Sequence, residues 1–131
     1  MIFLDANFII AYSVKNHDYY DRASELWESF ENKDKIISKL VIAEVLNVLN
    51  TRLKTNIELT DKVAKFMDDE LITVNDDEYY KRGLKYLKKY YPKRIQFFDC
   101  VYMALMEEIG IKEIATFDEH FDLNKNIKRI H

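Results

Sequence analysis

The sequence has a single cysteine, Cys100, which excludes a disulfide within the chain and fits a reducing compartment. One proline and two glycines leave few places for linkers, so the 131 residues predict one domain, residues 1–131. The longest apolar runs are far shorter than the ~20 residues that span a bilayer, so we expect no membrane insertion. An apolar strand follows Met1 directly, without a basic leader, so we expect no signal peptide and a cytoplasmic protein.

The sequence also lacks a strong excess of positive charge. A net charge of −3 excludes a generally cationic protein that coats nucleic acid. It does not exclude nucleic-acid binding, because a site of carboxylates and metal lowers the total while a local basic strip binds phosphates. No His/Cys set has zinc spacing, and neither a GxxxxGK[ST] loop nor a G-x-S-x-G elbow is present.

Short apolar runs alternate along the chain with segments of helical spacing. Strands are predicted at 2–4, 36–37, 71–74, 114–116 and 127–130. Six helices are predicted, the first after Asn7 and the others at about 19–30, 39–53, 60–69, 75–90 and 97–109. This alternation predicts an α/β domain of three layers, in which a short and mainly parallel sheet has helices on both faces.

The helix ends carry recognisable cap residues. Asn7 is predicted to cap the first helix, Ser38 the third and Thr60 the fourth. The acidic run 75–78 is predicted to open the fifth helix, because the helix dipole favours negative charge there. Gly110 is predicted to end the sixth.

Four carboxylates lie at or near the ends of these elements. They are Asp5 after the first strand, Glu44 on the mostly apolar third helix, Asp99 in the first turn of the sixth helix, and Asp118 after the fourth strand. Ligands of parallel α/β sheets collect at the carboxyl ends of the strands. If the fourth strand lies beside the first, all four acids would meet there.

Clustered carboxylates repel one another and destabilise the fold unless a cation joins them. Mg²⁺ and Mn²⁺ take oxygen ligands and are commonly held by a few carboxylates together with substrate phosphates. An ion of this kind can activate water to attack a phosphodiester. Each acid also has a simpler interpretation: a helix cap for Asp5 or Asp99, an ion-pair partner for Glu44, and a turn residue for Asp118.

Four segments together resemble the PIN domain family, and most of all the compact VapC-type toxins of prokaryotic toxin–antitoxin pairs. They are Ile2-Phe3-Leu4-Asp5-Ala6-Asn7, Ser38 to Glu44 with the Val-Leu-Asn-Val-Leu that follows, Phe98-Asp99 with Ala104, and Ala115-Thr116-Phe117-Asp118-Glu119-His120-Phe121. The resemblance covers essentially the whole chain in order. Ala6 departs from the family's frequent Thr or Ser, which removes a hydroxyl but no acid.

The resemblance implies a Rossmann-like, PIN-like parallel sheet and an endoribonuclease that depends on Mg²⁺ or Mn²⁺. It assigns catalytic and metal-ligand roles to Asp5, Glu44, Asp99 and Asp118, and supporting roles to Asn7 and Thr116. It further implies an RNA substrate and a small antitoxin partner. The apolar helices around 8–30 and 39–53 agree with an antitoxin groove, a homodimer face or both, although close packing on the sheet would also account for them.

A basic strip is predicted on one side of the fifth helix, with apolar residues on the other side. The strip consists of Lys81, Arg82, Lys85, Lys88 and Lys89, and the apolar side of Tyr80, Leu84, Leu87 and Tyr91. The strip is either a solvated helix face or a surface that contacts RNA phosphates. In the second case, Tyr86 or Tyr90 could stack on an unpaired base.

Three alternatives to a toxin nuclease remain open from the sequence. A PIN-like fold could serve as a binding or scaffold module with inactive acids, or as an RNA-processing nuclease that is not a toxin. A phosphoacceptor receiver domain shares the α/β pattern, but the paired acids after the first strand and the late lysine of such domains are missing.

Overall fold

A computed structural model describes residues 1–131 and contains one five-stranded sheet with six α-helices. The strands are β1 (Ile2–Leu4), β2 (Lys35–Ser38), β3 (Ile72–Val74), β4 (Glu113–Ala115) and β5 (Lys128–Ile130). The helices are α1 (Ala6–Ser13), α2 (Tyr20–Ser29), α3 (Lys39–Thr51), α4 (Ile57–Glu70), α5 (Tyr80–Tyr90) and α6 (Phe97–Ile109), and a 3₁₀ turn covers Glu119–Leu123. None of the helices has the length and apolarity that a bilayer crossing requires.

All neighbouring strands pair in parallel, in the order β3-β2-β1-β4-β5, which confirms the predicted α/β class. β1 is the central strand, and its Phe3 pairs with Ile36 on one side and Ile114 on the other. The strands β2 and β3 are added in sequence on one side of β1. The chain then crosses back, and β4 and β5 are added on the other side of β1. With right-handed crossovers, α1 to α4 cover one face of the sheet and α5 and α6 the other. The strand order therefore reverses between β1 and β4. At such a switch point, the carboxyl ends of the strands in an open α/β sheet border a crevice.

The core lies on both sides of β1, whose three residues are fully buried. On one side, α6 is buried without interruption from Asp99 to Met106, because it packs between the sheet and α5. Gly83 of α5 makes that packing close: a Cβ atom at this position would lie only 3.0 Å from Cγ2 of Val101 and 3.1 Å from the Val101 nitrogen. A nearly all-buried α6 therefore fixes Asp99 at its first turn.

Two of the predicted caps are wrong. The α1 cap is Asp5 and not Asn7, since Oδ1 of Asp5 accepts a 2.8 Å hydrogen bond from the Ala6 nitrogen. The α4 cap is Asn56 and not Thr60, because Oδ1 of Asn56 accepts from the Leu59 nitrogen. Ser38 caps α3 as predicted, and Gly110 ends α6 with a φ of 84°. In both cases the helix is capped by a polar residue that precedes the predicted cap in the chain.

The acidic run 75–78 does not open a helix, and α5 begins only at Tyr80. Asp76 is instead buried, and its Oδ2 accepts a 2.7 Å hydrogen bond from the Leu40 nitrogen at the start of α3. The helix that this carboxylate caps is therefore the one that carries Glu44, although 36 positions separate Asp76 from Leu40. β2 and β3 pair side by side, which brings the loop after β3 to the start of α3.

Candidate metal centre

The four predicted acids line one cleft of about 880 Å³. Asp5 directly follows β1, and Asp118 lies shortly after the adjacent strand β4, so the parallel pairing places both at the same edge of the sheet. Glu44 enters the cleft from the second turn of α3, and Asp99 from the first turn of α6. Four separate elements thus bring their carboxylates together at the switch point between β1 and β4.

Asp5 is held in place by hydrogen bonds to both of its oxygens. Oδ1 accepts from the Ala6 nitrogen, while Oδ2 accepts a 2.7 Å bond from the Thr116 hydroxyl and a 2.9 Å bond from Nδ2 of Asn7. The Asp5 nitrogen donates to the carbonyl of Ala115 on β4. The carboxylate is 3% exposed, so these partners fix its orientation with little competition from water.

Thr116 and Asn7 join the ends of β1 and β4. The Thr116 oxygen accepts from Nδ2 of Asn7 at 3.0 Å and from the Asp118 nitrogen at 3.1 Å. Oδ1 of Asn7 accepts from the Phe117 nitrogen at 3.0 Å. These two side chains therefore connect Asp5 with the backbone that carries Asp118, in the positions where supporting polar groups were predicted.

The pKa values of three cleft acids are raised, because the carboxyl groups are buried and lie close to one another. Burial, followed by the charges of Asp5, Asp118 and Glu44, raises the pKa of Asp99 to about 9. Burial and the charge of Asp5 raise the pKa of Glu44 to about 7, even though Arg52 acts in the opposite direction. Burial also raises the pKa of Asp5 to about 6, against the lowering effect of its hydrogen bonds.

Two of the acids have buried oxygens without any hydrogen-bond partner, namely Oε2 of Glu44 and Oδ2 of Asp99. Neither residue forms an ion pair with a lysine or arginine, so the simple ion-pair interpretation of Glu44 is wrong. A buried carboxylate oxygen without a partner carries a large desolvation cost. A hard divalent cation would satisfy both oxygens and relieve the repulsion that raises these pKa values, so the donor set fits such an ion.

Two histidines belong to the site, and no sequence pattern predicted them there. Nδ1 of His120 lies 3.1 Å from Oδ1 of Asp118, and one donor atom each of Asp99, Asp118 and His120 lie within 4.8 Å of one another. His17 lines the same cleft. The only local signal for His120 is its position two residues after Asp118, where the 3₁₀ turn brings both side chains to one side.

The cleft also has an apolar end and one arginine. Its apolar lining comes from α1, α3 and the start of α6: Ile10, Ala43, Val48, Leu53, Phe97 and Phe98. Arg52, just beyond the last turn of α3, is the basic residue among the lining groups besides His17. On α3 only Val41, Val45 and Leu49 are buried, and Leu53 just beyond the helix is 42% exposed, so this mostly apolar helix is not covered on every side.

The predicted basic strip lies away from this cleft. Arg82 pairs with Glu108 at 2.5 Å and Lys85 with Glu107 at 3.1 Å, which joins α5 to α6. Lys81, Lys88 and Lys89 are exposed and have no acidic partner. None of the five lines the cleft, and their contact with RNA stays a prediction.

The predicted apolar side of α5 is partly wrong. Gly83 and Tyr86 are buried, whereas Tyr80, Leu84 and Tyr91 are exposed. Tyr86 donates its hydroxyl proton to Glu107 and is only 4% exposed, so its ring is closed to a nucleobase. Gly83 determines which side of α5 faces α6, because the two helices can approach closely where α5 has no side chain.

Comparisons with known proteins agree with this architecture. The model of the PIN domain family matches residues 2–126. The crystal structure of VapC20 from Mycobacterium tuberculosis, described as a sarcin–ricin loop-cleaving toxin, is similar with a TM-score of 0.83 and 20% identity, covering 94% of each chain. No curated protein sequence matches the chain significantly.

Two solved complexes contain similar chains. FitAcB from Neisseria gonorrhoeae has a TM-score of 0.69 and 16% identity, over 100% of this chain and 97% of the other. VapBC2 from Rickettsia felis, bound to a DNA fragment from its promoter, has a TM-score of 0.71 and 18% identity, over 99% and 98%. Because the family model spans nearly the whole chain, the protein belongs to the PIN domain family.

Proposed function

We propose that this PIN domain, taken as one unit over residues 1–131, is an endoribonuclease that depends on Mg²⁺ or Mn²⁺. The observation that carries the proposal is the convergence of Asp5, Glu44, Asp99 and Asp118 from four elements on one cleft. Two of these acids have buried oxygens without a hydrogen-bond partner, and a bound cation would be a partner for both oxygens.

Asp5, Asp99 and Asp118 would hold the ion, with Glu44 lining the same cleft. When bound, the cation lowers the pKa of a coordinated water and stabilises negative charge on the attacked phosphate. Thr116 and Asn7 keep the Asp5 carboxylate oriented through their hydrogen bonds to Oδ2. Glu44, with a pKa raised to about 7, can accept and release a proton near neutral pH, which suits a general base.

We further propose that the protein is the toxin of a VapBC-type pair, acts in the cytoplasm and is a homodimer. Support comes from VapC20, a toxin that cleaves the sarcin–ricin loop, and from the VapBC2 complex. The apolar end of the cleft, with Leu53 and Phe98 42% and 45% exposed, offers a surface for a protein partner. An antitoxin segment there would cover the approach to the acids.

The test is the cleavage of RNA by purified protein with added Mg²⁺ or Mn²⁺. Asp5→Asn and Asp99→Asn should each lower the rate by more than about 100-fold, beyond the ~10–100-fold effect of outer-shell partners at metal sites. Asp68→Asn, which changes an exposed acid on α4, is the matched control and should retain the wild-type rate. Cleavage by Asp5→Asn at the wild-type rate would disprove the proposal.

Calorimetry separates this function from a scaffold role. Titration of Mn²⁺ into the wild-type protein should release or absorb heat, and Asp99→Asn should abolish the signal. If Mn²⁺ gives no heat with any variant, a binding module with inactive acids becomes the better interpretation. The same titration on Asp68→Asn confirms that the loss is specific to the cleft.

A further inference from the structure

Three aromatic rings form a continuous stack that runs from the core to the protein surface, beside the segment that carries Asp118. Phe8 of α1 is fully buried and stacks on Phe117, with ring centroids 6.1 Å apart and planes at 24°. Phe117 stacks in turn on Tyr19, at 4.5 Å and 14°. Tyr19 is the last ring and is 51% exposed. We call Phe8, Phe117 and Tyr19 the aromatic column.

Backbone hydrogen bonds connect Phe117 and Tyr19 with two residues that line the acidic cleft, Asn7 and His17. Phe117 lies between Thr116 and Asp118, and its nitrogen donates to Oδ1 of Asn7 at 3.0 Å. The Tyr19 nitrogen donates to Nδ1 of His17 at 3.0 Å, and His17 lines the cleft that contains the four carboxylates. Because Nδ1 accepts this bond, Nε2 is the ring nitrogen of His17 that can donate to another group.

The column leaves an aromatic surface open where a substrate would pass. One face of the Tyr19 ring stacks on Phe117 and the His17 ring lies 6.0 Å away at 39°, yet Tyr19 remains 51% exposed. Stacking on Phe117 has already ordered the ring, so little conformational entropy remains to be lost on binding. Every nucleobase has a π-face that such a ring can stack on, regardless of sequence.

The acids also determine what would reach this ring. A cation held by Asp5, Asp99 and Asp118 would attract a phosphodiester, and the nucleosides on either side of that phosphate would then lie close to the cleft. A base-paired nucleotide has both faces of its base stacked within the helix, whereas an unpaired base can turn out onto a protein ring. The Tyr86 ring is buried against Glu107 and cannot serve this purpose.

We propose that Tyr19, supported by Phe117 and Phe8, is a stacking platform for an unpaired base next to the phosphate held at the acids. The chain would therefore select single-stranded segments or loops, with the Nε2 proton of His17 available to an oxygen of the same nucleotide. This inference deepens the proposed nuclease function and rests on it.

The test compares four proteins on a fluorescein-labelled single-stranded RNA of about 12 nucleotides, within the usual range of single-strand site sizes. Tyr19→Phe keeps the ring and should bind and cleave as the wild type does. Tyr19→Leu keeps apolar contact with Phe117 but removes the π-face, and it should bind roughly 5- to 150-fold more weakly. Tyr80→Leu changes a tyrosine of similar exposure, 48%, on α5 and should bind as the wild type does.

Binding is measured by fluorescence anisotropy with Ca²⁺ and cleavage with Mg²⁺, and the same RNA annealed to its complement serves as a second ligand. Tyr19→Leu should raise KM for the single strand far more than it lowers kcat, while its affinity for the duplex stays at the wild-type level. Equal loss of affinity for the single strand and the duplex would overturn the platform, as would unchanged binding of the single strand.

Failure of the platform can be told apart from failure of the nuclease. If the wild type cleaves RNA and Tyr19→Leu does so with an unchanged KM, only the platform is wrong. If the wild type cleaves no RNA but Tyr19→Leu still binds the single strand more weakly, the platform stands and the nuclease proposal fails.

Discussion

The hydroxyl of Thr116 donates a 2.7 Å hydrogen bond to the carboxylate of Asp5, from a position 111 residues further along the chain. The bond crosses from the end of β4 to the end of β1, and the two strands are parallel neighbours. It therefore ties the geometry of the proposed ion ligand directly to the pairing of the two central strands.

Thr116→Val should impair catalysis without unfolding the protein. Valine has the same shape but no hydroxyl, so Asp5 loses one partner, and both Nδ2 of Asn7 and the Asp118 nitrogen lose an acceptor. We expect cleavage to fall by ~10–100-fold, as for outer-shell partners of metal ligands, and the free energy of unfolding to fall by about 1–3 kcal/mol. Rate assays and urea denaturation measure the two effects.

Thr116→Ser is the matched control for that variant. It restores the oxygen and should recover most of the activity, although it leaves a small void where the methyl group packed. A serine variant as slow as the valine variant would show that packing, and not the hydrogen bond, orients Asp5.

Without metal ions, the protein should lose stability as the pH rises. Asp5, Glu44 and Asp99 have folded-state pKa values of about 6, 7 and 9, all above their ordinary values. The folded state therefore binds more protons than the unfolded state over this range, and the stabilisation present below about pH 4 is lost progressively up to about pH 9. Between about pH 5.5 and 8.5 in EDTA we expect Tm to fall by several degrees, since one pKa unit corresponds to ~1.4 kcal/mol.

Asp99→Asn should flatten this dependence most, because the pKa of Asp99 is raised furthest. At pH 8.5 the variant should even melt above the wild type, since it removes a carboxyl that the unfolded chain ionises freely but that is buried with an unpartnered oxygen in the folded protein. Asp68→Asn should keep the wild-type slope. A wild-type Tm that rises over the same pH range would contradict the repulsion assigned to the cleft.

Addition of Mn²⁺ should reverse the loss of stability at high pH. An ion that binds only the folded protein adds about 2.7 kcal/mol at a hundredfold excess over its Kd. Protons compete for the same carboxylates, so the Tm increase should be larger at about pH 8 than at about pH 6. Asp99→Asn should show little increase at either pH, and Asp68→Asn the full one. Thermal melts with and without Mn²⁺ provide the measurement, and equal shifts in Asp99→Asn would argue for an ion site elsewhere.

The sequence predicted the strands, the class of the fold and the four acids because these follow from local patterns. A strand that ends in a carboxylate, such as Ile2–Leu4 before Asp5, can be recognised from a few neighbouring residues. The position of Asp99 in the first turn of a helix that is apolar on nearly every side is equally local. Parallel pairing then requires that strand ends meet at one edge, so Asp5 and Asp118 could be expected to lie together.

The features that the sequence did not predict depend on contacts between distant segments. Asp76 caps α3 through Leu40 only because β3 lies beside β2. His120 reaches Asp99 because α6 and the 3₁₀ turn meet at the cleft. The stack of Tyr19 on Phe117 joins residues almost a hundred positions apart. None of these contacts leaves a periodic signal, since each involves one residue from each segment.

Gly83→Ala should destabilise the protein, although alanine favours a helix by ~1 kcal/mol over glycine. Gly83 faces α6, and a Cβ atom would lie 3.1 Å from the Val101 nitrogen and 3.2 Å from Cε2 of Phe97. The Val101 backbone is within a buried helix and cannot move alone, so α5 must shift outward. Overpacking of this kind costs ~1–3 kcal/mol, which leaves a net loss of about 1 kcal/mol after the gain in helix propensity.

Leu84→Ala is the matched control, because Leu84 is the next residue on α5, is 45% exposed and has nearly the same helix propensity as alanine. Urea denaturation should place its midpoint close to that of the wild type, and the midpoint of Gly83→Ala below both. Since Phe97 begins the helix that carries Asp99, the shift in Gly83→Ala should also weaken Mn²⁺ binding. A more stable Gly83→Ala protein would mean that α5 adjusts to the methyl group freely, and that its contact with α6 does not fix the first turn where Asp99 lies.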